Sequence, residues 1–534
     1  MVSGLSLTGP RRGGGIRGAI LAAAIVAAPA AWAQAPAAPA PVFAIKGFQV
    51  SGENPLGEAR AQQVLAPFVG QGTIDTLQKA TAALEAALRE RGFGLHRVAL
   101  PPQEVGAVVR LEIVRFTVAK VLIEGNSRYG NANVRHAVPE LREGATPNFK
   151  RLAVQTAIAN ENPNKQLQVG LRESEEADRI DATITVKENA PWSFGASLTN
   201  AGSAASGRDR VTFTAGHSNA WDLDHQLLAA YTTSLEAAGD VKQLGLSYRA
   251  PLYRHGMVVT ASYTRSDVVG NFGTFTSTGA GRTLGAAATW YLTPEGGRRS
   301  YVTLGLEDKL FEATVINDVP IGTDRRSRPV SVGYSARTES DTASWGYNLD
   351  LAANTGGGGF NDLASYQTED PRITTARWKA LRGGVNYAAP FAGGWMWLAR
   401  AQFQHSRDVL ISGEQFGLGG IGFVRGTRTD RPITGDKGIA ASLEVTTPPL
   451  AAALRLAAFV DAGWLGNNDP NGASKPSSDR LASAGLGVRY GGDPFAASLD
   501  YGRIVKGSRV LPSLNSASPQ RGDDRVYLNV SWRF

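Results

Sequence analysis

The sequence predicts a mostly β protein in which a C-terminal 16-stranded antiparallel transmembrane β-barrel follows two small α+β domains. Three observations support this fold class. Residues 192–534 alternate apolar with small or polar side chains in short segments separated by Gly, Asp, Asn and Pro. The chain ends on an amphipathic strand, and it begins with the pattern of an export signal. Such long alternation suits strands that separate lipid from a wet lumen.

Residues 1–33 predict a signal peptide for general secretion. A basic stretch with three Arg precedes the apolar segment 19–28, and Ala-Trp-Ala at 31–33 forms a small-x-small cleavage site. The apolar segment is shorter than the roughly 20 residues that span a bilayer. A Pro/Ala-rich linker is predicted at 34–43. The chain has no Cys, which excludes disulfides and thiolate metal ligands.

Two similar units form the predicted α+β domains, at 44–115 and 116–188. Each opens with a short strand that ends in Gly, at 45–52 and at 118–125. A helical stretch follows, clearest at 76–92, where apolar residues recur at helical spacing. Each unit closes with alternating β residues. The spacing therefore predicts one β-α-β unit repeated in tandem.

The barrel is predicted to occupy residues 189–534. Candidate strands begin near Trp192, Arg210, Asp224, Asp240, Gly256, Thr283, Arg299, Pro329, Thr342, Thr374, Gly394, Lys437, Ala452, Arg480, Phe495 and Arg525. An even number is typical of bacterial single-chain barrels. One of the longest segments between strands, 406–436, is predicted to fold into the lumen, as long outer loops of such barrels can.

The last ten residues, RVYLNVSWRF, predict the closing strand of the barrel. Their apolar face ends with Trp532 and Phe534, which we take as the C-terminal signature of the barrel. Nine of the ten Trp lie at or beyond Trp192. This distribution is typical of the aromatic girdles at membrane interfaces.

No enzymatic function is predicted, and we identify no catalytic residue, metal site or cofactor. The chain has six His and no Cys, and no two His stand at a metal-ligand spacing. No G-x-S-x-G elbow or phosphate-binding loop is present. The net charge of +8 is scattered, with no run of more than two adjacent Lys or Arg. This pattern disfavours a nucleic-acid partner.

An arginine lies within the glycine-rich stretch GGIGFVRGTRTD of the long loop, at Val424-Arg425-Gly426. Glycines allow tight turns there. If the loop enters the lumen, the guanidinium needs an acid, because an unpaired charge in a confined site is costly.

An acidic partner is available on the thirteenth candidate strand, in LRLAAFVDAG. Alternation places Phe459, Asp461 and Gly463 on the inward face, together with Arg455. Asp461 can therefore bind Arg425 across the lumen or pair with Arg455 on its own strand. The alternation leaves both pairings open.

These features resemble the two-partner secretion outer-membrane transporters of the haemolysin secretion/activation family. The V-R-G loop signature of that family matches residues 424–426, and its F-x-D-x-G strand signature matches 459–463. Its second POTRA domain carries an N-x-N-P pattern, matched here by Asn160, Asn162 and Pro163. The resemblance covers residues 44–534. One departure is Thr427, where the family usually has an aromatic residue.

The resemblance implies two periplasmic POTRA domains, an outer-membrane barrel and the Arg425–Asp461 pairing. It implies export of a large, haemolysin- or adhesin-like partner exoprotein, unfolded in the periplasm, without nucleotide hydrolysis. Further expected partners are outer-membrane lipid and lipopolysaccharide, and the barrel assembly machinery and periplasmic chaperones during biogenesis. We expect a monomer. The short linker at 34–43 leaves no room for an N-terminal plug helix. The alternatives are an insertase for other barrels and a passive porin.

Overall fold

The computed structural model describes residues 41–104, 107–203, 206–268, 270–272, 274–277, 279–316, 319–451 and 453–534. Over these residues the chain forms two small α/β domains followed by a closed barrel, so the predicted fold class is confirmed. The predicted signal peptide and residues 34–40 of the predicted linker lie outside the described residues. In the described part, every helix is too short or too polar to cross a membrane.

The first small domain is a three-stranded sheet covered by two helices. Its central strand, Val108–Arg115, pairs in parallel with Gly47–Gly52 and antiparallel with His96–Ala99. The remaining elements are the helices Glu58–Leu65, Ala66–Phe68 (3-10) and Ile74–Glu90, and the paired strands Phe43–Ile45 and Gly70–Gly72. The longest helix buries four apolar residues at spacings of three and four, which sets its packing on the sheet.

The second small domain repeats this arrangement, as the tandem spacing predicted. Its central strand, Arg179–Glu188, pairs in parallel with Thr117–Glu124 and antiparallel with Lys165–Glu173. The helices are Asn131–Ala137 and Phe149–Ala159. Asn148 caps the second helix, because its side chain accepts hydrogen bonds from the first helical N–H groups.

The barrel has sixteen strands, each antiparallel to its neighbours, and the last pairs with the first. They are β1 Trp192–Thr199, β2 Arg210–Ala220, β3 His225–Thr233, β4 Gln243–Leu252, β5 Met257–Ser266, β6 Gly281–Tyr291, β7 Arg298–Phe311, β8 Pro329–Glu339, β9 Ser344–Asn354, β10 Lys379–Phe391, β11 Trp395–Ser406, β12 Lys437–Thr446, β13 Leu454–Gly466, β14 Ser478–Gly491, β15 Phe495–Lys506 and β16 Asp524–Arg533. The segment Arg325–Ser327 extends β8 past Arg328 along β7.

Shorter elements occupy the loops. They are the hairpins Gly270–Phe272 with Phe275–Ser277, Thr314–Ile316 with Val319–Ile321, and Phe416–Leu418 with Ile433–Gly435, the helix Leu363–Gln367, and the 3-10 turns Tyr253–His255, Ala392–Gly394 and Ser412–Glu414.

One predicted strand start differs from the structure by more than three residues. The strand expected near Thr374 begins at Lys379. The apolar residues before it, Ile373 and Trp378, are buried in a loop core at the far end of the barrel, together with Tyr366. The apolar residues before Lys379 therefore pack a loop, which is why the sequence pattern predicts the strand too early.

The barrel faces follow the predicted alternation. On β13, Leu456 and Val460 are exposed on the outside, whereas Phe459 and Asp461 are buried inside. On β16 the side chains of the C-terminal signature, Trp532 and Phe534, are exposed on the outside. These apolar side chains form the surface that contacts lipid.

The β16–β1 junction is the shortest of the barrel, since its strand ladder covers only residues 195–199 and 529–533. The amide of Asn200 continues it. Its Nδ2 donates to the carbonyl of Val526 at 2.8 Å, and its Oδ1 accepts from the N–H of Leu528 at 2.8 Å. The backbone N–H of Asn200 also donates to the carbonyl of Leu528 at 3.2 Å, so the side chain reinforces the ladder at this end.

Candidate functional site

The loop between β11 and β12, residues 407–436, lies inside the barrel. Its hairpin places Phe416, Leu418 and Val424 in a core formed with apolar side chains of the wall. Gly463 of the strand signature lets Leu418 of the loop pack closely against β13, because a Cβ at position 463 would lie only 2.4 Å from Leu418 Cδ2. The loop is therefore packed against β12 and β13, and its tip lies at Val424–Gly426.

Arg425 and Asp461 form a bidentate ion pair at this tip. Nε and Nη2 of Arg425 donate to the two carboxylate oxygens at 2.9 Å each, and the backbone N–H of Arg425 donates to Oδ2 at 3.0 Å. The side chains are 3% and 0% exposed. Arg455 instead donates to the carbonyl of Thr447 at 3.1 Å. Of the two pairings that alternation left open, the structure has the one between loop and wall.

Further acidic side chains surround Arg425. Its Nη1 lies 2.8 Å from Glu444 Oε2 on β12 and 3.7 Å from Asp500 Oδ1 on β15. Arg489 on β14 links those carboxylates, at 3.0 Å from Glu444 and 2.7 Å from Asp500. Sequence reasoning did not identify these residues. Their inward positions follow from alternation, but their meeting depends on strand register.

The ring of Phe459, from the strand signature, packs against the guanidinium of Arg425. The guanidinium of Arg425 lies over its ring, 3.3 Å from the centroid. This is a cation–π contact, which adds attraction for a desolvated cation. The loop arginine is thereby held by carboxylates at its edge and by an aromatic ring at its face.

The backbone of the tip is strained and closely packed. Val424 has φ 66°, a region that a β-branched residue rarely adopts. Gly426 has φ 108°, and a Cβ there would lie 2.9 Å from the carbonyl oxygen of Gly502 on β15. Glycine is therefore required at 426. Such strain persists only where the surroundings determine the conformation, and here the contacts of Arg425 and Gly426 with the wall do so.

Thr427, the departure from the family pattern, folds the tip on itself. Its hydroxyl donates to the carbonyl of Thr429 at 3.0 Å and accepts from the N–H of Gly420 at 2.7 Å. Its carbonyl accepts from the hydroxyl of Tyr527 on β16 at 2.8 Å. The tip therefore also contacts the last strand of the barrel.

The N-x-N-P pattern lies at the junction of the second small domain and the barrel. The side chain of Asn160 makes two hydrogen bonds to the backbone of Leu167 within the domain. It accepts from the N–H of Leu167 at 2.6 Å and donates to its carbonyl at 3.0 Å. Asn162, followed by Pro163, donates to the carbonyl of Ser218 on β2 at 2.9 Å. One Asn shapes the domain, and the other joins it to the barrel.

Glu161, between these two Asn, was missed by sequence reasoning. Its carboxylate accepts from Arg249 Nη2 on β4 at 2.9 Å, from the hydroxyl of Tyr291 on β6, and from the hydroxyl of Tyr301 on β7 at 3.2 Å. One carboxylate of the small domain thus binds three barrel strands. An acidic residue inside the N-x-N-P pattern was the available signal.

A second buried contact joins the same domain to the barrel. Lys165 is fully buried, and its ammonium donates to Asn133 Oδ1 at 2.6 Å and to the carboxylate of Asp224, just before β3. The hydroxyl of Tyr253 donates to the same carboxylate at 2.7 Å. Burial lowers the pKa of Lys165, against the opposing effect of Asp224. These contacts attach the second small domain to the end of the barrel that adjoins it.

The C-terminal signature completes the barrel wall at that same end. The ring of Trp532 packs on Phe495 of β15, with centroids 4.9 Å apart. The N–H of Phe534 donates to the carbonyl of Phe194 on β1 at 3.0 Å. Both residues therefore stabilise strand closure and the outer face.

Two lumen cavities of about 940 and 560 Å³ lie beside the loop. Both are lined by Asn386 and Arg400. Much of the larger wall carries small or polar side chains, among them Thr264, Ser331 and Gln402. A polar wall of this kind suits an extended polypeptide, which must keep its backbone hydrogen-bonded.

Two known protein families match this chain, and together they cover most of it. The family described as haemolysin secretion/activation protein ShlB/FhaC/HecB matches residues 179–490. The ShlB-type POTRA domain matches residues 43–115. Among characterised relatives, outer membrane transporter CdiB of Escherichia coli is 22% identical over 459 residues, which cover 82% of this chain and 75% of that protein.

Solved structures share the fold. CdiB from Escherichia coli superposes with a TM-score of 0.73 at 20% identity, covering 96% of this chain and 93% of that chain. CdiB from Acinetobacter baumannii superposes with a TM-score of 0.71 at 16% identity, covering 93% of this chain and 90% of that chain. The whole arrangement of small domains and barrel is therefore common to all three.

Proposed function

This chain belongs to the haemolysin secretion/activation family, ShlB/FhaC/HecB, and from that premise we propose how its loop and POTRA domains carry out transport. It is an outer-membrane transporter of two-partner secretion, with its POTRA domains in the periplasm, and it translocates a partner exoprotein. We propose that the partner is large, haemolysin- or adhesin-like and unfolded in the periplasm. Transport then needs no nucleotide hydrolysis, and the protein has no enzymatic activity.

The buried Arg425–Asp461 ion pair is the observation that carries the mechanism. It holds a 30-residue loop inside a lumen that keeps cavities of about 940 and 560 Å³ beside the loop. We propose that residues 424–426, with Phe459, Asp461 and Gly463, position this loop during transport. A loop held at one place occupies part of the lumen in a defined position and guides the partner past it, whereas a released loop leaves the lumen open more often but no longer guides the partner.

Capture takes place at the POTRA domains. Edge strands such as His96–Ala99 and Lys165–Glu173 have one unpaired side, which can bind an extended segment by β-augmentation. We propose that the pattern of Asn160, Asn162 and Pro163 supports entry of a captured segment into the lumen, since Asn160 shapes the second domain and Asn162 joins it to the barrel. Folding of the partner outside the cell then biases movement outward.

The other proposed partners are those that a barrel meets in the outer membrane and on its way there. The outer face contacts outer-membrane lipid and lipopolysaccharide, and Trp532 and Phe534 serve recognition by the barrel assembly machinery after escort by periplasmic chaperones. We propose that the transporter is a monomer, because the barrel closes within one chain.

The experiment that tests the function compares culture supernatant and outer-membrane proteomes of the parent strain and a strain lacking this gene. We expect the loss of one large secreted protein, with other barrel proteins unchanged. A general fall in outer-membrane barrels without a missing exoprotein would instead establish an insertase. Unchanged proteomes on both sides would favour a passive channel.

A further inference from the structure

A second carboxylate of the inward loop is buried far from its tip. Glu414 lies in the 3-10 turn Ser412–Glu414, near the base of the loop, and its side chain is 1% exposed. Its Oε1 accepts from the hydroxyl of Ser327 at 2.9 Å. Its Oε2 accepts from Arg382 Nη2 at 2.8 Å, and Lys309 Nζ lies 3.4 Å from Oε1.

The backbone at this position is held as well. The carbonyl of Glu414 accepts from Gln404 Nε2 at 2.9 Å, and Arg382 Nε donates to Gln404 Oε1 at 2.9 Å. Two cations, a hydroxyl and an amide therefore converge on one loop residue. A buried carboxylate is stable only when it is paired and hydrogen-bonded in this way.

The carboxylate of Glu414 and the guanidinium of Arg425 contact different parts of the barrel wall. Glu414 contacts β7, the extension of β8, β10 and β11, whereas Arg425 contacts β12, β13 and β15. No residue is shared between the two sets. Breaking one set therefore leaves the other intact.

The environment of Glu414 also permits release. The larger lumen cavity is lined by Lys309, Arg382, Gln404 and Glu414. Water in that cavity can solvate the charges once they separate, so the ion pairs can break and form again. An apolar contact of equal strength would lack this reversibility, because exposure of apolar surface is not compensated by hydration.

We propose that Glu414 is a second, independent positioning residue of the inward loop, which holds the loop base while Arg425 holds the tip. This inference rests on the proposed function only in that the loop moves during transport. Loss of either contact frees one end of the loop, and full release needs the loss of both.

Single-channel recording of the purified full-length protein in planar lipid bilayers tests this proposal. The variants are Glu414→Gln, Arg425→Gln and the double variant. Gln keeps the size of the side chain but removes the charge that faces Lys309 and Arg382. We expect each single variant to raise open-channel time severalfold, and the double variant to raise it well above either.

The matched control is Glu307→Gln. Glu307 contacts the same Lys309 at 2.9 Å but lies on β7, not on the loop. We expect wild-type recordings from it. Wild-type recordings from Glu414→Gln, equal effects of the Glu307 and Glu414 variants, or a double variant no different from Arg425→Gln would each overturn the proposal.

Heat-modifiability on gels establishes that each variant is a folded barrel. If Glu414→Gln does not fold, Ser327→Ala removes one donor and leaves the carboxylate, and a smaller rise in open time is then expected. A wild-type result from a folded Ser327→Ala then overturns the proposal. The recordings contain no secreted partner, so their outcome is separate from that of the proteome comparison.

Discussion

At the scale of single residues, the loop tip combines strain with strong pairing. Val424 and Gly426 adopt positive φ on either side of Arg425, and the bidentate contact with Asp461 compensates for that strain. Charge-assisted bidentate contacts are about twice as strong as neutral hydrogen bonds. The tip is therefore held in one conformation by the wall, and it loses that conformation when the wall contact is removed.

Arg425→Ala or Asp461→Ala should lower partner secretion severalfold while leaving barrel levels near those of the parent. Removing one member of a buried pair costs about 3–5 kcal/mol, because the other charge stays buried. Immunoblots of supernatant and outer membrane measure both quantities. Arg455→Ala, which changes an arginine on the same strand as Asp461, is the control. Normal secretion by both variants at normal barrel levels would contradict a role for the pair.

We expect one histidine, His96, to make the first POTRA domain less stable in acid. Burial lowers the pKa of His96 below its ordinary value of 6.5, and His96 is 4% exposed. Between the lowered pKa and 6.5 the unfolded chain binds more protons than the folded one. Stability is therefore complete above about pH 6.5 and falls as the pH drops through the folded pKa.

Hydrogen exchange of the full-length protein measures this effect. After correction for intrinsic rates, peptides of residues 74–99 should lose protection at pH 5.5 relative to pH 7.5. His96→Phe should remove the difference, because the ring is then uncharged at both values. Equal protection of the parent protein at both pH values would contradict the prediction.

At the scale of elements, the second POTRA domain and the barrel form one unit. Glu161 binds three strands from outside, and Lys165 is buried with Asp224 between the domain and the turn before β3. Tyr253 and Val258 of the barrel belong to the apolar core of the domain. These polar and apolar contacts together join the domain to the end of the barrel.

Lys165→Met should loosen this junction, since Asp224 then remains buried without its cation, at a cost of about 3–5 kcal/mol. The double variant Lys165→Met/Asp224→Leu should recover part of the loss, because no unpaired charge remains. Hydrogen exchange of residues 129–137 and 219–225 reports on the junction. Lys150→Met, an exposed lysine of the same domain, should behave as the parent. A double variant worse than the single one would refute this explanation.

The strands, and the side of the barrel wall that each residue faces, were predictable from the sequence because the two-residue alternation alone decides them. Alternation placed Asp461 inside and Trp532 outside, and both positions agree with the structure. Register was not predictable, because loop lengths and bulges set it. Glu444 and Asp500 meet their partners only through that register, and Glu414 meets its partners through the path of the loop, so alternation alone could not predict these contacts. The meeting of Arg425 with Asp461 needed the family resemblance in addition to alternation.

At the scale of the whole molecule, closure depends on the short β16–β1 junction. Asn200 lengthens the junction at one end, and the N–H of Phe534 lengthens it at the other. Arg525 on β16 also donates to the carbonyl of Gly202 at 2.8 Å and to the carbonyl of Arg428 in the loop tip. The closing strand thus contacts the first strand's outer end and the loop together.

Asn200→Ala should weaken this closure. It removes two hydrogen bonds, each worth about 0.5–1.5 kcal/mol. The barrel should therefore unfold at a lower temperature in a heat-modifiability series on gels. Asn348→Ala, which changes a lumen residue whose side-chain amide donates to Asp350 of its own strand, is the control. Equal unfolding temperatures for the two variants would show that Asn200 does not support closure.

The acidic surroundings of Arg425 have one more consequence, for the moment at which the tip leaves the wall. Asp461, Glu444 and Asp500 then face each other with Arg489 as the remaining guanidinium in contact with two of them. The uncovered carboxylates attract a replacement cation, and an arginine of the passing chain is chemically the same group as the one that left. The vacated place on the wall is therefore negatively charged, and it favours cationic side chains over anionic ones.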